Sequence, residues 1–204
     1  MPELPEVEVC RLGITPHVIN QTVADVIVRQ RQLRWPVPEE ISDIINSPVQ
    51  LVDRRSKYLM LKFERGTVLI HLGMSGTIRI IEADLPVAKH DHVDIVFTNG
   101  KALRLNDPRR FGAVLWLADH QDDNGILSKL GPEPLSEAFS SDYLIEKARN
   151  RNVPIKTFLM NNQVVVGVGN IYANEALFRA GILPTTKASQ IPQSKMASLV
   201  NIVK

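Results

Sequence analysis

The run Gly131-Pro132-Glu133-Pro134 divides this chain. Two prolines and a glycine stop both helix and strand, and the hydrophobic spacing differs on either side of them. Upstream, short β-branched runs alternate with turn residues. Thr22 to Arg29, Leu51 to Phe63 (with a bend), Thr67 to Leu72, Thr77 to Ile81, His92 to Phe97, Ala102 to Leu105 and Ala113 to Leu117 read as strands. Asn99-Gly100 is a two-residue hairpin signal, since both residues tolerate positive φ. Two helices interrupt the strands, one from near Pro5 to about Val18 and a short one from Glu39 to Ile45. Downstream, helical spacing covers Leu135 to Asn150, Ile155 to Asn161, Ile171 to Ala180 and Ser194 to Lys204. The expected class is α+β. A sandwich or barrel with flanking helices occupies residues 1–130, and a helical domain occupies residues 131–204. The last helical pattern meets the chain end without a stop residue, which reads as an element cut short.

With 204 residues, 44% of them hydrophobic and 23% charged, the chain buries a sizeable core and is not disordered throughout. No apolar run approaches the roughly 18 residues of a membrane span. Cys10 stands alone, so an internal disulfide and a multi-cysteine zinc site are excluded, and a reducing compartment is expected. The N-terminus has neither the basic start nor the apolar stretch of a signal peptide, so a cytoplasmic location is expected. The net charge of +2 is unevenly spread: residues 1–128 carry 15 Lys/Arg against 17 Asp/Glu, and residues 129–204 carry 9 against 5. Arg29, Arg31 and Arg34 cluster, as do Arg54, Arg55 and Lys57, and Arg109 and Arg110. Such groups either hold phosphates or form an ordinary solvated surface.

The start Pro2-Glu3-Leu4-Pro5-Glu6-Val7-Glu8 suits a helix N-terminus, with Pro5 in the first turn and acids at the positive dipole end. That account leaves Pro2 and Glu3 unexplained. Removal of Met1 turns Pro2 into a secondary amine able to attack an aldehyde-level carbon and form an iminium. An α-amine with pKa near 7.7–8.0 is roughly 10% neutral at pH 7, far more than a lysine side chain. Glu3 beside it is a candidate general acid and base, and Glu6 follows three residues on along the same helical face.

This start, together with His71-Leu72-Gly73-Met74-Ser75-Gly76, Lys89-His90-Asp91-His92, Asp107-Pro108-Arg109-Arg110-Phe111-Gly112 and Gly167-Val168-Gly169-Asn170-Ile171-Tyr172-Ala173, closely resembles the formamidopyrimidine-DNA glycosylase family. The resemblance spans the chain, with five motifs in the family's order. It implies a β-sandwich followed by a helix-two-turn-helix domain, with damaged double-stranded DNA bound between them. It also implies base excision repair of oxidised purines, 8-oxoguanine and formamidopyrimidines, followed by strand cleavage at the abasic site.

Carried onto these positions, the resemblance makes Pro2 the nucleophile at C1′ and Glu3 the proton carrier, with Lys57 in the catalytic set and Glu6 positioning the terminus. Met74, Arg109 and Phe111 correspond to the wedge that fills the space left by the extruded base. Lys57, His90, Arg109 and Asn170 correspond to phosphate contacts, and Lys156 falls where the family places a basic residue near the damaged strand. Four of them have a plainer reading: Met74 and Phe111 as core, Lys57 as a surface lysine and Asn170 as a helix cap; His71 reads as a structural histidine. His90-Asp91-His92 lacks a third ligand at metal-binding spacing. No cofactor enters the implied chemistry. Structural zinc belongs to the family's C-terminal four-cysteine finger, which this sequence does not contain. A nucleoid-associated monomer is expected.

Rival readings are an endonuclease VIII-like enzyme for oxidised pyrimidines, a non-catalytic binder of damaged DNA, and a general single-strand binder. Leu4 stands where the endonuclease VIII group typically has glycine, which favours the purine enzyme. Only 5% of residues are aromatic, which is poor provision for stacking single-stranded bases.

Overall fold

The computed structural model describes residues 2–119 and 125–204. Met1, on whose removal the amine chemistry depends, lies outside the described residues. The chain forms two compact units, Met1–Asp123 and Asn124–Lys204, divided upstream of the glycine-proline run.

The first unit opens with helix α1 (Leu4–Val18), started by Glu3 at the N-cap, a proline in the first turn and Glu6 at the third position. Its buried residues Val7, Ile14 and Val18 repeat at seven and four, the spacing of one helix face. Eight strands follow among the described residues: β1 (Val23–Val28), β2 (Leu51–Arg55), β3 (Tyr58–Phe63), β4 (Gly66–His71), β5 (Thr77–Glu82), β6 (Asp91–Phe97), β7 (Lys101–Asn106) and β8 (Ala113–Ala118). They make two four-stranded antiparallel sheets, in the orders β1-β6-β7-β5 and β2-β3-β4-β8. The sheets are open, so the structure is a sandwich. Along β3 the odd positions Leu59, Leu61 and Phe63 turn inward and their neighbours are half-exposed, the period-two signature of a strand with one covered face. The core joins these residues to Val7, Val18 and Trp116.

Two readings are refined here. The expected bent strand over Leu51 to Phe63 is a hairpin turning at Ser56-Lys57, with Ser56 at φ 56°. Residues Glu39–Ile44 form a 3-10 turn, short of a full α-helix.

The second unit contains α2 (Ser141–Ala148), α3 (Ile155–Leu159), α4 (Asn170–Ala180) and α5 (Gln193–Val203). Its core gathers Phe139, Leu144, Phe158, Leu177 and Leu199. The helix expected from Leu135 begins only at Ser141. Ser140 caps it by accepting the Tyr143 amide at 3.2 Å, and residues 135–139 turn back through a Ser136 bond to the Glu133 carbonyl. Among the described residues no helix is long and apolar enough to cross a membrane.

Candidate active site

The N-terminal group is built by local capping and completed by the β2–β3 hairpin. Glu6 Oε2 accepts the Glu3 backbone N–H at 2.9 Å, fixing the residue that follows Pro2. Glu3 is 1% exposed and Pro2 is half-buried. Lys57 comes to this end of the helix from the hairpin turn. Burial holds its ammonium below the usual lysine range, while the charges of Glu3 and Glu6 pull it the other way. The structure thus brings together three of the expected residues, Glu3, Glu6 and Lys57, beside Pro2.

A strut holds that hairpin against the helix. Glu8 on α1 pairs with Arg11 at 2.6 Å and with Arg54 at 3.0 Å, and Arg54 also donates to the Ser56 carbonyl at 2.8 Å. The Arg11 hydrogen bond, seconded by Arg54, outweighs burial and keeps the Glu8 carboxyl below its ordinary value. Arg54 belongs to one of the basic clusters in the sequence. It is engaged with Glu8 and Ser56, Arg29 pairs with Asp94 at 2.6 Å, and Arg31 donates to the Val37 carbonyl, so each guanidinium uses part of its donor capacity inside the fold. Arg34 differs: its guanidinium lies over the Trp35 ring at 4.6 Å.

The wedge candidates also gather. Met74 and Phe111 are 43% and 46% exposed, too open for core residues, and the Arg109 guanidinium stacks over the Phe111 ring at 4.7 Å. Their loops meet backbone to backbone. Gly73 takes φ 62°, and a Cβ there would stand 2.4 Å from the Phe111 carbonyl carbon. His90, at φ 75°, lies in the segment just before β6, with its ring 6.1 Å from that of His92. His92 and Asp91 are taken up internally: His92 Nε2 donates to the Asp107 carbonyl at 2.8 Å, and Asp91 accepts from Arg79, Asn106 and the Ala88 amide.

His71 links the two groups. Its ring packs at 5.0 Å on Tyr58, the residue after Lys57, and its Nδ1 accepts the Gly73 amide at 2.9 Å, at the foot of the Met74 loop. Burial, reinforced by Arg34 and Lys57, pushes its pKa from 6.5 down to about 4. The unfolded chain therefore takes up this proton before the folded one. The stability that neutral His71 supplies is full above pH 6.5 and falls by about 3 kcal/mol as pH drops to 4. Urea titrations at pH 7 and pH 4.5 should show this loss in the parent chain, and a smaller one in His71→Asn, whose amide oxygen accepts the same bond without titrating.

In the second unit, Asn170 is the exposed first residue of α4, preceded by Gly169 at the N-cap. Lys156 lies half-buried on α3, and its amide donates to the Pro184 carbonyl.

Comparison with known proteins agrees with this geometry. Residues 1–114 match the formamidopyrimidine-DNA glycosylase N-terminal domain, and residues 130–204 match that family's H2TH domain. The chain belongs to the formamidopyrimidine-DNA glycosylase family. A relative from Colwellia psychrerythraea carrying that name is 68% identical over the whole of this chain, which spans 75% of the relative. One from Photobacterium profundum is 56% identical, with 76% of its length spanned. Among solved structures, the Lactococcus lactis glycosylase bound non-covalently to DNA containing an AP site superposes with a TM-score of 0.91. It is 30% identical, and the match covers 98% of this chain and 78% of that one. A mutant of that enzyme with DNA containing Fapy-dG gives 0.92 at 30% identity, over 99% and 75% of the two chains.

Sequence spacing gave no sign of the Glu8–Arg54 strut, the His71 bond or the part played by Asp107. The strut joins residues 46 apart and the Ser75–Asp107 bond joins residues 32 apart, whereas the His71 bond spans only two residues and depends on the Gly73 backbone at φ 62°. For Asp107 one signal existed, an acid inside a motif otherwise made of arginines, proline, phenylalanine and glycine.

Proposed function

We propose that this glycosylase-family chain is bifunctional, removing oxidised purines from duplex DNA and then cutting the strand at the abasic site. The observation that carries the reading is the gathering of buried Glu3, capping Glu6 and Lys57 beside Pro2. With Met1 removed, the Pro2 nitrogen lone pair bonds to C1′, the bond from C1′ to the base breaks, and the departing base leaves with a proton. Opening of the sugar ring at O4′ gives an iminium whose fixed positive charge acidifies the C2′–H bond. Loss of that proton expels the 3′ phosphate, and a second elimination expels the 5′ phosphate. Glu3 is the carrier of the protons, and a neighbouring Lys57 ammonium suits a phosphate of the opened strand. Exposed Met74, Phe111 and Arg109 suit insertion into the stack, and His90, Asn170 and Lys156 suit contacts along the backbone.

Borohydride trapping tests the proposal. Incubation with 8-oxoguanine or abasic duplex should leave a covalent protein–DNA adduct, and intact mass should show a chain beginning at Pro2. Adduct at full yield from Pro2→Gly would move the nucleophile elsewhere. Faster excision of oxidised pyrimidines than of oxidised purines would favour the endonuclease VIII-like reading, and binding to damaged duplex without any adduct would favour the non-catalytic one.

A further inference from the structure

We propose that Asp107 is a positioning residue that joins the Met74 loop and the Phe111 loop into one preformed wedge. The proposal rests on the glycosylase reading above and deepens it. Asp107 is 0% exposed, and its two carboxylate oxygens serve two different loops. Oδ1 accepts the Ser75 hydroxyl at 3.0 Å, and Oδ2 accepts the Gly112 amide at 2.7 Å. Ser75 directly follows Met74, and Gly112 directly follows Phe111, so each bond fixes the residue beside an exposed apolar tip.

The backbone of Asp107 extends the tie. Its amide donates to the His90 carbonyl at 3.0 Å, and its carbonyl accepts from His92 Nε2 at 2.8 Å and from the Arg110 amide at 3.2 Å. The last bond closes the turn in which Arg110 takes φ 56°, a conformation unfavourable for a residue with a Cβ. A Cβ on Gly112 would stand 2.9 Å from Asp107 Oδ2, so the loop approaches the carboxylate as closely as backbone allows. One residue thus contacts every segment that carries Met74, His90, Arg109 and Phe111.

Inserting two tips that move independently requires each to be ordered on binding, whereas tips locked together in advance have already lost that freedom. Negative charge beneath a DNA-facing surface repels phosphate. The place of Asp107 is therefore explained by its two acceptor positions, and its charge is incidental. Asparagine should serve nearly as well: its oxygen keeps the Gly112 bond and its amide donates to the Ser75 oxygen. Alanine supplies neither bond.

The test compares Asp107→Ala, Asp107→Asn and Ser75→Ala in the full chain by two readouts. In amide hydrogen exchange, Asp107→Ala should speed both the 73–76 segment and Gly112 by about tenfold while β4 and β8 stay protected. Ser75→Ala, the milder variant, should speed Gly112 across the loop boundary. In borohydride trapping on lesion duplex, Asp107→Ala should lose about 50-fold and Asp107→Asn should stay within about fivefold of the parent. On a single-stranded abasic oligonucleotide, which needs no wedge, all three should stay within about twofold of the parent. Equal losses on both DNAs would reduce Asp107 to a structural residue, and an Asp107→Asn as defective as Asp107→Ala would assign the effect to charge. Either result overturns the proposal. A parent chain that traps neither DNA would sink the glycosylase reading alone. The exchange readout would still decide the tie, which fails if the two loops respond separately.

Discussion

Glu3→Gln should lower excision of 8-oxoguanine from duplex DNA by about a thousandfold, the range removed with a positioned general acid or base. Trapping at a preformed abasic site should fall by no more than about tenfold. The two substrates separate because base departure needs a proton delivered at the sugar, whereas an abasic aldehyde reacts with the amine without that step. The substitution is conservative in shape, and the Glu6 bond to the backbone N–H of residue 3 does not involve the altered side chain. Any weakening of the cap costs about 1 kcal/mol of helix stability, too little to unfold the first unit. Glutamine also removes one of the two charges that raise the Lys57 pKa, so the variant should hold Lys57 protonated to a lower pH than the parent does. Single-turnover rates on the two DNAs between pH 6 and pH 9 measure both effects. Equal loss on both substrates would make Glu3 a scaffold for the terminus, and no loss on either would remove it from the chemistry.

The strands were legible because their inward residues alternate, as along β3, and each expected strand has its counterpart within a few residues. The turn at Ser56-Lys57 was not. It lacks the glycine or asparagine that usually announces positive φ, and the Arg54 bond that supports it depends on Glu8, 46 residues from Arg54. The late start of α2 was legible in principle, since Ser140-Ser141-Asp142 is a capping sequence, but continuous helical spacing from Leu135 masked it. At the site, local reasoning reached Pro2 as an amine and Glu3 as a candidate general acid and base, while the catalytic place of Lys57 and the wedge came only from the resemblance. The bond from Ser75 to Asp107, 32 residues apart, is set by how two loops pack, a property that no spacing in one sequence carries.

Asp94→Ala should destabilise the first unit by about 3–5 kcal/mol, because it removes the main partner of a buried arginine. Arg104 is 1% exposed and grips Asp94 with two parallel bonds of 2.9 and 2.8 Å from the facing strand. Arg29 adds a third bond to Asp94 at 2.6 Å. After truncation Arg104 keeps Asp91 at 3.5 Å and the carbonyls of Leu85 and Pro86 at 3.2 Å, too little for a guanidinium out of water. Among the described residues no buried side-chain nitrogen or oxygen now lacks a partner, so the substitution would create the first. Burial pushes the Asp94 carboxyl up, but hydrogen bonds from Arg104 and Arg29 outweigh it and hold the pKa below 3.8. The stability of the pair is therefore complete above pH 3.8 and is lost as pH falls further. Asp94→Asn should cost less than alanine, since its oxygen still accepts from Arg104. The double change Asp94→Leu with Arg104→Met removes both charges together and should cost about 1 kcal/mol or less, since ion pairs in such surroundings barely offset their desolvation. Urea denaturation of the three variants at pH 7 separates the cases. If the double variant is as unstable as Asp94→Ala, the cluster contributes attraction beyond mutual neutralisation, and the balance of desolvation against pairing assumed here is wrong.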